Sequence, residues 1–249
     1  MNFLNKNDFK GKTYIVVGGS SGIGLSCSKR LLDLEANVIL ASRNPLEKVK
    51  EISHEKNLKT LSMDVTQTES IEDFVLNLPS IDGGLVYSPG YLPSLALFYQ
   101  QNEKEIEAQM AVGPMGFSKL MKLLVKKKIL QSKSSVVVVS SAATCTSPLA
   151  SSSYNSAKSA LSSLATSYAR ELAYRKKNIR VNTVSFGYVK NNLVKQVNNI
   201  DEKTLLKIPY AEEASVNGPI LFFLSNLSEW MSGENLIVDG GSTLKMGLR

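Results

Sequence analysis

The chain has 249 residues, 43% of them apolar and 20% charged, enough to bury a large core and too ordinary a balance for a disordered segment. A formal net charge of +7 is spread over expected helix ends, notably Lys126-Lys127-Lys128 and Arg175-Lys176-Lys177, and not gathered into an aromatic-flanked stripe, so nucleic acid is not an expected partner. Cys27 and Cys145 are the two cysteines and His54 the one histidine; this argues against a disulfide framework, and no metal is expected. No apolar run has the roughly eighteen residues of a membrane span, and residues 1–12 are polar, so the expectation is a cytoplasmic protein with no membrane partner.

Short β-rich runs alternate with helical stretches. Strands are expected at 13–18, 37–42, 58–63, 84–88, 134–141, 180–186 and 236–238, and helices at 23–34, 45–56, 68–78, 103–130, 153–177 and 212–224. This order specifies an α/β fold, a Rossmann-like doubly wound parallel sheet of seven strands with helices on both faces. The run Val136 to Val139 suits a strand covered on both sides. No linker, repeat or low-complexity segment interrupts the pattern, so residues 1–249 read as a single domain.

The first strand runs into Gly18-Gly19-Ser20-Ser21-Gly22-Ile23-Gly24, and a helical pattern follows at once. Glycines permit the tight turn, and the N–H groups that open the helix suit a pyrophosphate. Gly18, Ser20, Ser21, Gly22, Ile23 and Gly24 are therefore candidate cofactor ligands. The second strand ends in Ala41-Ser42-Arg43-Asn44, without a carboxylate to accept hydrogen bonds from an adenosine ribose. Arg43 suits a ribose 2′-phosphate, with Ser42 and Asn44 as donors, which favours NADPH over NADH. After the third strand Met63-Asp64-Val65 brings a carboxylate to where an adenine amino group would lie, although Asp64 also reads as a helix cap.

The fifth strand ends at Ser141, and Tyr154 precedes Lys158 by four positions. On a helix over 153–177 those two share a face, entered through the turn Ser151-Ser152-Ser153. A cation beside a phenol of ordinary pKa, about 10, favours the phenolate. A hydroxyl at the tip of a parallel strand projects into the crevice where such sheets bind ligands. Ser141, Tyr154 and Lys158 are the candidate catalytic residues, a set able to move a proton onto or off a carbonyl oxygen. Cys145 lies in the loop after Ser141, where it is placed to touch substrate, whereas Cys27 reads as core and His54 as a surface helix residue. Residues 188–210 are irregular and follow the sixth strand on the ligand side, which suits a substrate lid.

The glycine turn, Asp64, Ser141, Tyr154 and Lys158 stand in the order and spacing of the short-chain dehydrogenase/reductase family, and Val238-Asp239-Gly240-Gly241 resembles its last strand. Ile179-Arg180-Val181-Asn182 and Ser232-Gly233 make the chain most similar to 3-oxoacyl-(acyl carrier protein) reductases within it. The resemblance implies that Tyr154 is the acid/base, that Lys158 lowers its pKa and binds the nicotinamide ribose, and that Ser141 orients the carbonyl. It also implies that Gly187 and Val189 hold the carboxamide and that Gly90 lies under the ring. The implied activity is NADPH-dependent reduction of a ketone or 3-oxoacyl-type carbonyl to a secondary alcohol.

Implied partners are a small-molecule or acyl-thioester substrate, the latter carried on an acidic acyl carrier protein met by Lys128 and Arg175, and further copies of the chain in a homodimer or homotetramer. Met115, Leu120, Leu161 and Leu164 suit either that interface or the core. Two other readings stay open: an enzyme of a dedicated sugar, antibiotic or surface-polymer pathway, and a non-catalytic NADPH-binding sensor or scaffold. Several positions depart from the family pattern. Its Asn-Ala-Gly reads Ser88-Pro89-Gly90, its relay Asn is replaced at Met110 or Ala111, its Pro-Gly reads Phe186-Gly187, and an expected threonine is Asn191. Together they imply an altered proton relay and an unusual substrate.

Overall fold

A computed structural model of the protein describes residues 5–45, 49, 52, 55–190 and 210–245. Seven strands form one sheet: β1 (Thr13–Val17), β2 (Asn37–Ser42), β3 (Leu58–Ser62), β4 (Gly84–Tyr87), β5 (Ser135–Ser141), β6 (Arg180–Phe186) and, last in the chain, β9 (Asn235–Val238). Their order is β3-β2-β1-β4-β5-β6-β9, and every pairing is parallel. The order reverses direction at β1, which has β2 on one side and β4 on the other, and this opens the crevice in which such sheets bind ligands. A separate parallel pair, β7 (Tyr188–Lys190) with β8 (Tyr210–Glu212), lies outside that sheet and was not anticipated from the sequence.

Eight helices are described: α1 (Gly22–Asp33), α2 (Thr68–Leu76), α3 (Glu103–Met110), α4 (Gly116–Lys126), α5 (Ala143–Thr146), α6 (Ser152–Tyr174), α7 (Asn217–Leu224) and α8 (Ser242–Lys245). Alternation along the strands divides the apolar residues between two cores. Ile15, Val17, Val136 and Val138 pack with Phe117, Leu120 and Leu161 on one face. Tyr14, Val16, Val137 and Val139 pack with Cys27, Leu31 and Phe223 on the other. Successive strand residues point to opposite faces, and helices cover both, so nearly every position of β1, β4 and β5 is buried. Strands β4 and β5 approach so closely at Gly84 that a Cβ there would lie 1.9 Å from the Ser135 carbonyl oxygen.

Several boundaries differ from expectation for local reasons. The helix expected over 103–130 is two α-helices joined by a π-helical turn, Ala111–Met115, which contains Pro114; proline has no N–H to continue the ladder. The helix of Tyr154 begins at Ser152 and ends at Tyr174, followed by Lys176 and Asn178 with φ of 54° and 49°. The helix expected over 212–224 is preceded by β8 and a 3-10 turn, so that it starts at Asn217. Leu120 and Leu161 are fully buried in the core, whereas Met115 is 49% exposed. His54, Asn191, most of the helix expected over 45–56 and residues 191–209 of the expected lid lie outside the described residues.

Candidate functional site

The C-terminal ends of β1, β2, β4, β5 and β6 open onto a cavity of about 1010 Å³. Its wall includes every candidate catalytic and cofactor residue named above except Gly24. A Cβ on Gly24 would lie 2.3 Å from the Gly18 carbonyl oxygen, so this glycine lets α1 pack onto the turn and does not face the cavity. Gly18 has φ +75°, and its N–H donates to the Ala41 carbonyl at 2.9 Å, tying the turn to β2. Ser21 is the N-cap of α1 and makes no side-chain cap hydrogen bond.

The tip of β2 places Ser42, Arg43 and Asn44 on the cavity wall. The Ser42 hydroxyl is buried without a hydrogen-bond partner. Asp64 also lines the cavity, but its Oδ1 accepts from the Thr66 N–H at 2.9 Å and from the Thr66 hydroxyl at 2.7 Å. The helix cap read from the sequence is not formed: the N-cap of α2 is Gln67, and Asp64 closes a local turn onto Thr66 while lining the cavity.

Ser141 ends β5, and its Oγ accepts from the Ala143 N–H at 3.2 Å. Tyr154, half-buried on the first turn of α6, lies close enough to Ser141 for that side chain to lower its phenol pKa. Lys158 is 7% exposed, and its ammonium donates to the carbonyls of Val139 at 3.1 Å and Pro89 at 3.4 Å. It stands 5.9 Å from the centre of the Tyr154 ring. Burial pushes the Tyr154 phenol up to about 12, opposed by the Ser141 hydrogen bond and reinforced by the neighbouring Tyr188. Burial also lowers Lys158 to about 8.

The expected lowering of the Tyr154 pKa does not dominate here, because burial raises the phenol. Desolvation penalises the charged form of both groups, and the ammonium is spent on main-chain carbonyls. Ser140 and Ser162, which the sequence reading missed, hold the helix in place: the Ser140 hydroxyl donates to the Lys158 carbonyl at 3.2 Å, and Ser162 donates to Ser140 at 2.8 Å. Consecutive serines carry no periodic signal that would single these two out.

Other expectations divide. Ser151 occupies the N-cap of α6 without capping it, because its hydroxyl donates to the Pro148 carbonyl at 2.6 Å and accepts from Asn155 at 3.0 Å. Cys145 is exposed and is not part of the cavity wall, so the contact with substrate expected of it is not seen. Cys27 is fully buried, as expected. Phe186 lines the cavity and is nearly fully buried. Asn182 holds the turn before β9, donating to the Met231 carbonyl at 2.9 Å and accepting from the Glu234 N–H at 3.0 Å. Asp239 accepts from the N–H groups of Gly241 and Thr243 at 2.9 and 2.7 Å. A Cβ at Gly187 would lie 2.9 Å from Asp239, which accounts for the glycine. The motif residues at this corner therefore shape the cleft through the backbone.

A dinucleotide phosphate fits these residues on two observations. The helix N-terminus behind the glycine turn lacks a side-chain cap, leaving N–H groups that suit a pyrophosphate. The orphaned Ser42 hydroxyl stands beside Arg43, where a further phosphate would satisfy both. Among the described residues no cluster of His, Cys, Asp and Glu could hold a metal ion, and no helix is long and apolar enough to cross a membrane.

Comparison with known proteins gives the family and the fold. The family model described as Enoyl-(Acyl carrier protein) reductase matches residues 17–243. The chain is 31% identical over 244 residues to carbonyl reductase family member 4 of Xenopus tropicalis, covering 94% of this chain and 99% of the relative. It is 25% identical over 240 residues to the 3-oxoacyl-(acyl-carrier-protein) reductase FabG of Rickettsia bellii, covering 94% and 98%. The crystal structure of a short-chain type dehydrogenase/reductase from Mycobacterium marinum superposes with a TM-score of 0.81 at 25% identity, over 95% of this chain and 97% of that one.

Proposed function

The chain belongs to the short-chain dehydrogenase/reductase family of oxidoreductases, and we propose that it uses NADPH to reduce a ketone or 3-oxoacyl-type carbonyl to a secondary alcohol. One observation carries this reading: Ser141, Tyr154 and, beside its ring, Lys158 line the same cavity as the glycine turn and Arg43. The nicotinamide supplies a hydride when bound. The chain's own residues orient the substrate and deliver the proton.

Ser141 holds the carbonyl oxygen, and Tyr154, kept protonated by burial, gives that oxygen its proton. Lys158 supplies positive charge beside the phenol as the proton leaves. Arg43 and Ser42 take the ribose 2′-phosphate, the glycine turn the pyrophosphate, Asp64 and Val65 the adenine side, and Gly90, Gly187 and Val189 the nicotinamide end.

The named activities of the Xenopus tropicalis and Rickettsia bellii relatives support a carbonyl or 3-oxoacyl substrate. Lys128 and Arg175, just beyond the ends of α4 and α6, suit an acidic carrier protein. We take the chain to act as a single domain, in a homodimer or homotetramer in the cytoplasm. One sheet that draws strands from Thr13 to Val238 supports the single domain, and the two free cysteines suit a reducing compartment.

The test is consumption of NADPH by the purified protein with a panel of ketones and 3-oxoacyl thioesters, run beside Tyr154→Phe. Turnover by the native protein and its loss in the variant are expected. A variant as fast as the native protein would overturn the assignment.

A further inference from the structure

The helix that carries Tyr154 and Lys158 also forms the wall of a second cavity, of about 480 Å³. Ser152, Asn155, Ser156 and Ser159 of α6 line it, at the spacing of one helical face next to that of Tyr154 and Lys158. Phe98, Pro148 and Leu149 give it an apolar side. No residue assigned above to the cofactor or to catalysis lines this cavity. Pro148 and Leu149 belong to the walls of both cavities, so the two meet across the loop that leads from Ser141 to Tyr154.

That loop is firmly held. Ser147 and Ala150, on either side of Pro148 and Leu149, have φ of 46° and 64°, a left-handed backbone that residues other than glycine adopt at a cost. Ala96 donates its N–H to the Ala150 carbonyl at 3.0 Å. Gln101 Nε2 donates to the Ala96 carbonyl at 3.0 Å and to Ser152 Oγ at 2.9 Å, which clips the segment before α3 to the start of α6. Phe98 and Leu149 are left exposed, and the ring of Tyr99 stands edge-on to that of Phe98 at 5.3 Å. Large apolar side chains held in water beside a groove mark a binding surface.

Asn155 gives the groove its polarity. It is 7% exposed, and its Oδ1 is buried without a hydrogen-bond partner. Ser151 fixes the orientation of the amide: its hydroxyl spends its one proton on the Pro148 carbonyl at 2.6 Å, so toward Asn155 it accepts, and it takes Nδ2 at 3.0 Å. A buried acceptor without a donor is costly, and a ligand N–H in the groove would satisfy it. Ser156 and Ser159 add hydroxyls able to donate to a carbonyl. A secondary amide, with one donor and one acceptor, is the complement of Asn155 and these serines.

We propose that the groove is a second binding site, for the distal arm of the carbonyl substrate, and that it selects an apolar chain interrupted by a secondary amide. This rests on the reductase reading and adds to it a site outside the catalytic cleft and the chemistry recognised there. Continuity chooses the occupant: a substrate whose carbonyl lies at Ser141 and Tyr154 reaches the groove by passing Pro148 and Leu149, which both cavities share.

The experiment measures kcat and KM with NADPH for unbranched methyl ketones whose tails carry one secondary amide at successive positions, and for their ester counterparts, in the native protein, Asn155→Leu and Ser159→Trp. At one tail position the native protein should favour amide over ester by about tenfold in kcat/KM, through KM, as a buried acceptor gains its donor. Asn155→Leu should bring that ratio close to one. Ser159→Trp, which fills the groove, should lower kcat/KM for the tailed ketones relative to a short ketone by about tenfold.

Equal kcat/KM for amide and ester at every position in the native protein overturns the proposal, whether or not either variant folds. An amide preference that survives in Asn155→Leu overturns it too. A smaller oligomer for Ser159→Trp in sedimentation velocity, with the amide preference kept, assigns the groove to a contact between copies of the chain and is a third overturning result. If the native protein binds NADPH and reduces no carbonyl, the reductase reading fails on its own. The groove is then decided by calorimetric dissociation constants for an N-alkyl alkanamide and the matching ester: tighter amide binding that is lost in Asn155→Leu supports it, and equal affinities overturn it.

Discussion

The ammonium of Lys158 stands 5.9 Å from the centre of the Tyr154 ring, while its hydrogen bonds run to the main-chain carbonyls of Val139 and Pro89. Lysine and tyrosine are thus neighbours on one helix face without being paired. Each is perturbed mainly by its own burial, the phenol upward to about 12 and the ammonium downward to about 8. A phenol so placed is a stored proton at neutral pH, which suits the reducing direction.

Replacing Tyr154 by Phe removes that proton and little volume. Turnover should fall by about 10²- to 10⁴-fold, with the far-ultraviolet circular dichroism and the NADPH dissociation constant unchanged. Coincident loss of cofactor binding would assign Tyr154 to binding and not to proton transfer.

Lys158 makes stability depend on pH in a definable direction. Its pKa falls from 10.5 to about 8 on folding, so between those values the unfolded chain binds more protons and the folded state gains as pH rises. Below about 8 the ammonium is charged in both states and its full burial cost is present. Urea denaturation without added cofactor should therefore show the native protein gaining on Lys158→Met from about pH 8 to about 10, by roughly 2–3 kcal/mol over the whole window. Tyr154 acts later and with opposite sign, since a phenol raised to about 12 loses its contribution as pH climbs from 10 to that value. A constant difference between native and Met proteins would contradict the buried ammonium.

Arg43 lines the phosphate end of the cavity next to the orphaned Ser42 hydroxyl. Arg43→Ala should weaken NADPH by about 10- to 100-fold, which corresponds to the roughly 1.5–3 kcal/mol of a charged hydrogen bond, and leave NADH nearly unaffected. Equal losses for the two cofactors would place the arginine away from the 2′-phosphate.

Two glycines should respond in opposite ways to alanine. A Cβ at position 24 meets the Gly18 carbonyl oxygen at 2.3 Å, so Gly24→Ala should cost roughly 1–3 kcal/mol and loosen the cofactor turn. At Gly218, near the start of α7, nothing lies within 4 Å, and alanine should stabilise by about 0.5–1 kcal/mol. Thermal denaturation of the two variants checks both signs.

The amino-acid sequence by itself determined the alternation of strand and helix, the glycine turn, and the trio Ser141, Tyr154 and Lys158, because each is a local pattern whose period or spacing acts within a few residues. Even there, the strand ends shifted by a residue, and Ser151 kept its cap position while giving its hydroxyl to Pro148. The tertiary structure decided what depends on neighbours distant in the chain. It set the pairing of β7 with β8, the serines that tie α6 to β5, and the hydroxyl of Tyr87 on the carbonyl of Val112 twenty-five residues away. It also set the direction of the Tyr154 shift by burial and not by Lys158. A pKa follows the desolvation and hydrogen bonds of the folded surroundings, and four residues of helical spacing say nothing about the carbonyls of Val139 and Pro89 that wait on the other side.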